Sequence, residues 1–221
     1  MRAVSALDAA RTASLVRLMK AGAARGGEVS VGGLTVRVPP GVCHPAPFGG
    51  VSFAPLFEAA LEGLGADERV LDVGTGCGVW ALLAARSGAD VWATDLPHVD
   101  LSSVRASAEL NGLPPPTTRA GDLFAPVAGE RFDRVLFNPP FHFGEPADDA
   151  ERAYLGGADG AVVRRFLREV DAHRAAGGAA YVILPKRERA RYADDLRAHR
   201  VQETASRWLP VLGRCYLLAL S

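Results

Sequence analysis

The sequence predicts an α/β fold built on a seven-stranded, mostly parallel sheet with helices on both faces. Two observations predict it. Short apolar runs typical of buried strands alternate with longer stretches typical of helices, and this βαβ alternation favours parallel pairing. The last two apolar runs are separated only by a turn containing Pro210 and Gly213, which indicates a closing antiparallel strand pair.

The elements follow one another in a definite order. Apolar and basic residues over 2–20 predict an N-terminal helix, and alternation around a Gly-Gly turn over 28–38 predicts a β-hairpin. A loop over 39–50 precedes a helix that Ser52 can cap and that runs to about Leu64. The predicted strands cover residues 70–73, 91–94, 117–120, 134–137, 180–184, 202–209 and 215–220, and the later helices cover residues 79–86, 101–111, 161–176 and 188–199.

This order divides the chain into two predicted regions. Residues 1–50 form an extension of helix and hairpin, and residues 51–221 form the main domain. The N-terminal helix either lies over the core or acts as a lid or substrate-binding helix. Both alternatives are compatible with its basic face.

Composition indicates an ordinary globular protein. Hydrophobic residues make up 48% and charged residues 23% of the chain, and no apolar run reaches the roughly 18 residues of a membrane span. The amino terminus lacks the continuous apolar block of a secretory signal. Cys43, Cys77 and Cys215 have neither metal-binding spacing nor the even number of a disulfide framework, so we expect no metal and a cytoplasmic protein.

Charge is balanced overall but unevenly spread. The formal net charge is zero, with +4 on residues 1–50, −6 on residues 51–125 and +2 on residues 126–221. A protein that grips long nucleic acid usually has a stronger basic excess. A small molecule or a protein therefore stays possible as the substrate.

A glycine-rich loop follows the first predicted strand of the main domain. Residues 70–78 read Val-Leu-Asp-Val-Gly-Thr-Gly-Cys-Gly, and the next residues begin a helix. Glycines allow a sharp turn and close approach of a ligand, and the helix offers free N–H groups. The spacing differs from the Gly-x-Gly-x-x-Gly pattern of dinucleotide sites. The expected ligand-binding residues here are Asp72, Gly74, Thr75, Gly76 and Gly78.

Two further carboxylates follow neighbouring strands. Asp95 ends the next strand, and a carboxylate there can accept both hydroxyls of a ribose. Leu96 follows it as a further contact. Asp122 follows the segment 117–120 and can accept from the exocyclic amine of an adenine, while Leu123 packs on the ring. The alternatives are a helix cap for Asp95 and a turn former for Asp122.

The segment 132–141 reads Phe-Asp-Arg-Val-Leu-Phe-Asn-Pro-Pro-Phe. The apolar run predicts a strand that stops at Pro139 and Pro140, because neither can donate a ladder hydrogen bond. Asn138 is therefore expected at the carboxyl end of a strand, where ligands bind in open α/β sheets. This places a polar amide, bare carbonyl groups and the aromatic Phe141 together.

With these motifs in this order, the chain from about residue 40 resembles the class I S-adenosylmethionine-dependent methyltransferases. The resemblance implies a Rossmann-like fold and S-adenosyl-L-methionine as cofactor. The chain is similar to the HemK/PrmC-type glutamine N5-methyltransferases in Asp-Leu-Phe (122–124), Asn-Pro-Pro-aromatic and Gly-Gly-x-Asp-Gly (156–160). It is similar to the RsmC-type guanine N2-methyltransferases in Asn-Pro-Pro-Phe-His (138–142) and Pro-Gly-Val (40–42). It departs from the first group at Phe141, where those enzymes carry tyrosine, and both groups carry longer amino-terminal regions.

The resemblance implies an N-methyltransferase acting on a planar nitrogen. Such a nitrogen is a poor nucleophile because its lone pair is delocalised. Asn138 and the Pro139 carbonyl can accept its N–H groups and Phe141 can stack on it, so these three residues are the expected catalytic ones, with Asn138 also beside the cofactor. No general base is obvious; His142 is expected to be structural, and its alternative role is proton transfer. The basic run 186–191 is expected to be a solvated helix face, and the alternative is contact with an anionic substrate.

The acceptor stays open between a small metabolite, a protein glutamine and an RNA base. The short amino-terminal region and the neutral net charge favour a metabolite. The Gly-Gly-x-Asp-Gly match favours a glutamine, whereas Asn-Pro-Pro-Phe-His and the local basic segments favour RNA. Two alternatives from other classes are a nicotinamide-dependent oxidoreductase and a noncatalytic cofactor-binding protein. Neither gives a reason for the segment 138–141.

Overall fold

In the computed structural model, the described residues are 6–46, 53–210 and 212–221, with the backbone alone described for residues 6–9. The helices are α1 (Ala6–Ala23), α2 (Ala54–Ala60), α3 (Val79–Ala85), α4 (Ser102–Leu110), α5 (Ala161–Glu169), α6 (Lys186–Arg191) and α7 (Ala193–Leu196). The strands are β1 (Gly27–Val31), β2 (Leu34–Val38), β3 (Arg69–Val73), β4 (Asp90–Asp95), β5 (Thr117–Ala120), β6 (Phe132–Phe137), β7 (Arg174–Pro185), β8 (Val201–Leu209) and β9 (Gly213–Leu220). Short 3-10 turns lie at Ala125–Val127, Asp149–Ala153 and Val170–His173.

Seven strands form the central sheet in the order β5-β4-β3-β6-β7-β9-β8. The first five in this order are parallel, and β9 is antiparallel to both β7 and β8. The predicted fold class is therefore confirmed. The strand order reverses between β3 and β6, because β4 and β5 are added on one side of β3 and β6 and β7 on the other. At this point Val73 of β3 pairs with Phe137 of β6. The carboxyl ends of these two strands form the crevice where open α/β sheets bind ligands.

The core explains why these segments are strands and helices. Val70 and Leu71 of β3 and Val135 and Leu136 of β6 are completely buried, as expected for strand segments covered on both faces. Helix α3 is buried along its whole length, so it lacks the polar face of a surface helix. Helix α2 packs the ring of Phe57 against Trp80 at 4.5 Å, and the Trp80 indole N–H donates to the Phe57 carbonyl.

The predicted hairpin is confirmed as β1–β2, a separate two-stranded sheet. Its turn places Gly32 and Gly33 at φ 58° and 74°, conformations that favour glycine. The hairpin is fixed to α4, because the Arg37 N–H donates to the Ser107 hydroxyl at 2.9 Å. Apolar side chains of β2 also belong to the main core. The division into residues 1–50 and 51–221 stays a prediction, since its boundary and Ser52 lie outside the described residues.

Helix lengths were predicted less well than strands. The helix predicted over 161–176 ends at Glu169, because the chain must turn and begin β7 at Arg174, which pairs with Phe132. The helix predicted over 188–199 is interrupted at Tyr192, whose side chain is fully buried. Helix α2 ends at Ala60, earlier than predicted. In the part of the chain that the structure describes, none of the helices has the length and apolar character that a membrane span requires.

Candidate active site

A cavity of about 740 Å³ lies at the carboxyl ends of β3, β4 and β6. Its volume is within the range of roughly 300–1,000 Å³ that small-molecule sites occupy. Most of the residues predicted from the sequence line this one cavity. These are Asp72, Gly74, Thr75, Gly76, Asp95, Leu96, Asp122, Leu123, Asn138, Pro139 and Phe141.

Gly78 is the exception, since it is not among the described residues that line the cavity. It lies at φ 86°, and a Cβ there would lie 2.8 Å from the side chain of Val104 in α4. Glycine is therefore needed for helix packing at this position. In contrast, Gly74 and Gly76, at φ 62° and 56°, form the turn that faces the cavity.

The Asp72 side chain, on β3, holds the glycine loop in place by hydrogen bonding. One carboxylate oxygen, Oδ2, accepts both the Thr75 hydroxyl at 2.7 Å and the Ala81 N–H at 3.1 Å. The side chain is buried, and this loss of hydration raises the pKa of Asp72 to about 7. The site therefore contains a carboxylate that is expensive to ionise and would gain from a nearby cation.

Asp95 fixes the same loop from the neighbouring strand. Its carboxylate accepts the Gly76 N–H and the Leu96 N–H, each at 2.7 Å. Burial raises the pKa of Asp95, and these two bonds act in the opposite direction. Helix α4 begins only at Ser102, so Asp95 is not its cap. An ionised carboxylate has about four lone-pair sites, so capacity for further donors remains.

Asp122 and Leu123, which follow β5, also line the cavity. Leu123 has φ 48°, a left-handed conformation that is unusual for leucine, and its side chain is buried. Such strain costs about 1–3 kcal/mol and concentrates at functional sites. The Asp122 carboxylate accepts from the Arg165 guanidinium at 2.7 Å. Arg165 also lines the cavity, and no motif in the sequence distinguishes it.

The segment 138–141 begins at the end of β6. Asn138 Oδ1 is buried and has no hydrogen-bond partner among the residues that the structure describes. An unpaired buried acceptor costs about 1–3 kcal/mol, a cost that a ligand N–H can relieve. The Phe141 ring borders the cavity and contacts the His142 ring edge-on, with 4.8 Å between centroids.

The Gly-Gly-x-Asp-Gly segment (156–160) packs against the chain that continues from the segment 138–141. The His142 N–H donates to the Tyr154 carbonyl at 3.2 Å, and the Gly156 N–H donates to the His142 carbonyl at 2.9 Å. A Cβ at Gly156 would overlap the Pro140 carbonyl oxygen. The first glycine of the segment is therefore needed for close backbone packing behind the prolines.

Several residues on the opposite wall were not predicted. Met19 of α1 packs with Leu15, Val16 and Tyr154 in a small apolar cluster, and Met19 and Tyr154 line the cavity. Helix α1 is tied to the turn at Asp149–Ala153 by Lys20, whose ammonium lies 3.1 Å from the Glu151 carboxylate. These contacts depend on tertiary structure and leave no local sequence signal.

A model of the methyltransferase small domain family matches residues 54–193, more than half of the chain. The chain belongs to this family. Its methyltransferase small domain contains the glycine loop, Asp95, Asp122 and the segment 138–141.

Similar proteins are named as methyltransferases of the translation apparatus. The ribosomal protein uL3 glutamine methyltransferase of Bradyrhizobium diazoefficiens is 40% identical over 118 residues, which cover 48% of this chain and 37% of that protein. The release factor glutamine methyltransferase of Deinococcus radiodurans is 37% identical over 155 residues, which cover 64% and 55%. The chain thus spans about half or less of the length of these relatives.

Solved structures share the fold of the methyltransferase small domain. The T. thermophilus 16S rRNA N2 G1207 methyltransferase, solved with AdoMet and guanosine, has a TM-score of 0.61 and 23% identity. The similarity covers 89% of this chain and 50% of that chain.

Proposed function

We propose that this chain is an S-adenosylmethionine-dependent N-methyltransferase that acts on a planar nitrogen. The observation that carries the proposal is the Asn138 amide oxygen, which is buried without a partner at the end of β6, beside the glycine loop. Membership of the methyltransferase small domain family supports it. The relatives described above are all named as methyltransferases, which favours this function over a nicotinamide-dependent oxidoreductase.

The cofactor fits the donors and acceptors of the cavity. Asp95 is suited to the ribose hydroxyls, and Asp122 with Leu123 is suited to the adenine. The glycine loop and Asp72 are suited to the cationic amino acid part, because the buried carboxylate gains from a nearby positive charge. When bound, the cofactor supplies an electrophilic methyl group on a sulfonium.

The chain's own contribution is orientation of the acceptor. The Asn138 oxygen and the Pro139 carbonyl accept the N–H groups of the planar nitrogen, so that its remaining electron density faces the methyl group. Phe141 stacks on the plane, and its ring face favours the charge that develops on nitrogen. Orientation and charge stabilisation of this kind account for large rate effects. The bond from the methyl group to sulfur would break as the bond to nitrogen forms, and the methylated nitrogen would then lose its proton to water.

The acceptor is a group on a macromolecule, either a protein glutamine or an RNA base. The relatives' names concern ribosomal protein, release factor and ribosomal RNA. Leu18 and Trp208 are 64% and 65% exposed, and a macromolecular acceptor would cover such apolar side chains. Leu18 lies on α1, beside Met19 of the cavity wall, and Trp208 lies on β8, which leads to the turn with the cavity residue Leu212.

The test is methyl transfer from tritiated S-adenosylmethionine to purified ribosomal RNA and to purified release factor protein. We expect one of them to be labelled, and mass spectrometry of the product then identifies the methylated nitrogen. Asn138→Ala should lose at least about 100-fold in kcat and keep its cofactor affinity. Asn111→Ala is the control for loss of an asparagine side chain, since it breaks the hydrogen bonds that join α4 to Thr35 of β2 and should lower stability rather than kcat. Full turnover by Asn138→Ala would contradict the assignment.

A further inference from the structure

A buried pair of side chains joins the Asn-Pro-Pro-Phe motif to helix α6. His142 directly follows the motif, and its Nδ1 lies 3.4 Å from Oε1 of Glu188. The two side chains are only 8% and 7% exposed. The basic run 186–191 was expected to be a solvated helix face, yet its one acidic residue faces the interior.

The surroundings of Glu188 make this contact important. Its second oxygen, Oε2, has no hydrogen-bond partner among the described residues, and neither do the two ring nitrogens of His142. A buried carboxylate with few hydrogen bonds depends on nearby positive or polarisable groups. Glu188 lies between His142 and Arg191, whose Nε is 4.0 Å from Oε2. The imidazole of His142 and the guanidinium of Arg191 therefore both lie within 4.0 Å of this buried carboxylate.

The residues on either side of this pair are also fixed. The guanidinium of Arg191 lies 4.6 Å from the centre of the Phe143 ring, and the Tyr192 ring packs on Phe143 at 5.3 Å. On the other side, the backbone of His142 forms hydrogen bonds with the backbone of Tyr154 and Gly156. The chain directly after Phe141 is thus held from two sides, and the prolines restrict the chain directly before it.

We propose that Glu188 is a positioning residue that, through His142, holds Asn138 and Phe141 in the orientation that methyl transfer requires. This inference rests on the proposed function. Its physical reason is that Asn138 and Phe141 act by orienting the acceptor, and a displacement of about 1 Å at such groups can lower a rate about 100-fold. Glu188 is not among the described residues that line the cavity, so its effect should fall on kcat.

The experiment compares Glu188→Ala, His142→Ala, the double variant and Glu188→Gln. The control is Glu203→Ala, which removes a half-exposed carboxylate paired with Arg189 of the same helix. Turnover is measured with tritiated S-adenosylmethionine and ribosomal RNA or release factor protein, whichever the wild-type chain methylates. Cofactor affinity is measured by calorimetry.

Each alanine variant should lose about 10–100-fold in kcat, with cofactor Kd within about twofold of wild type. Because the pair acts as a unit, the double variant should lose no more than the worse single variant. Glu188→Gln should recover most of the kcat, since its amide oxygen can still face His142 Nδ1. If Glu188→Ala does not fold, His142→Ala still tests the pair, because it removes the other side chain of the contact. A kcat for Glu188→Ala within twofold of wild type, or multiplicative losses in the double variant, would overturn the proposal.

A second measurement does not depend on turnover. The chain has two asparagines, so the side-chain amide resonances of Asn138 and Asn111 can be assigned by substitution. The Asn138 resonances should shift in Glu188→Ala and stay unchanged in Glu203→Ala. If the wild-type chain methylates neither acceptor, the proposed function fails while this measurement still decides the positioning role. Unshifted Asn138 resonances in Glu188→Ala would refute that role.

Discussion

Asp72 offers the sharpest test of the electrostatics of the site. Both of its hydrogen bonds, from Thr75 and Ala81, end on the same oxygen. Asp72→Asn therefore keeps an oxygen for both donors, while it removes the buried charge and replaces the other oxygen with an amide NH2 group. Burial raises the pKa of Asp72 from 3.8 to about 7, and at about 1.36 kcal/mol per unit the ionised form costs at most about 4 kcal/mol.

The sign of the pH dependence follows from linkage. The folded protein holds this proton more tightly than the unfolded chain, so the stabilisation is complete below about pH 4 and is lost as pH rises through about 7. Between pH 5.5 and 8.5, the stability of the wild type falls only over the part of the interval that lies below about pH 7. The stability advantage of Asp72→Asn over wild type should therefore grow by about 2 kcal/mol across that interval.

The assay is urea unfolding at the two pH values, followed by tryptophan fluorescence. Calorimetry on the same two proteins tests the function of the carboxylate. Wild type should bind S-adenosylmethionine more tightly as pH rises through about 7, because the cationic ligand favours the ionised form. Asp72→Asn should bind weakly and without this dependence. A stability difference that is the same at both pH values would refute the buried-charge argument.

Three further predictions concern the cofactor, the motif and the surface. Asp95→Asn should weaken S-adenosylmethionine binding about 10–100-fold by calorimetry, since the amide cannot accept from both backbone N–H groups and a ribose. Asp90→Asn, at the other end of β4, is the control and should bind the cofactor normally. Gly156→Ala should lower kcat at least about 10-fold at unchanged cofactor affinity, because its Cβ would displace the Pro140 carbonyl of the motif; wild-type kcat would contradict this. Trp208→Ala should raise KM for the macromolecular acceptor several-fold at unchanged kcat in steady-state assays, and Leu110→Ala, an exposed residue on α4, should change neither; equal effects of the two would reject a docking role for Trp208.

The sequence predicted the sheet better than the helices for a physical reason. Strands β3 and β6 are buried on both faces, so their apolar runs are unambiguous. The end of α5 depends on where β7 must begin to pair with Phe132, and no local residue marks that point. The glycine loop, Asp95 and Asn138 could be predicted because each lies at the carboxyl end of a strand or directly after it. Arg165, which lines the cavity, and Glu188, which contacts His142, could not, because both lie on helices whose position depends on the sheet order.

The site concentrates separate energetic costs at one edge of the sheet. Asp72 and Asp95 are carboxylates whose pKa values burial raises, and Asn138 holds a buried acceptor without a partner in the described structure. Natural folds retain such costs mainly where a ligand relieves them. A cation relieves the cost at Asp72, hydroxyl donors relieve the cost at Asp95, and an N–H group relieves the cost at Asn138. S-adenosylmethionine with a planar nitrogen acceptor carries all three, so cofactor and acceptor together should stabilise this fold more than either does alone.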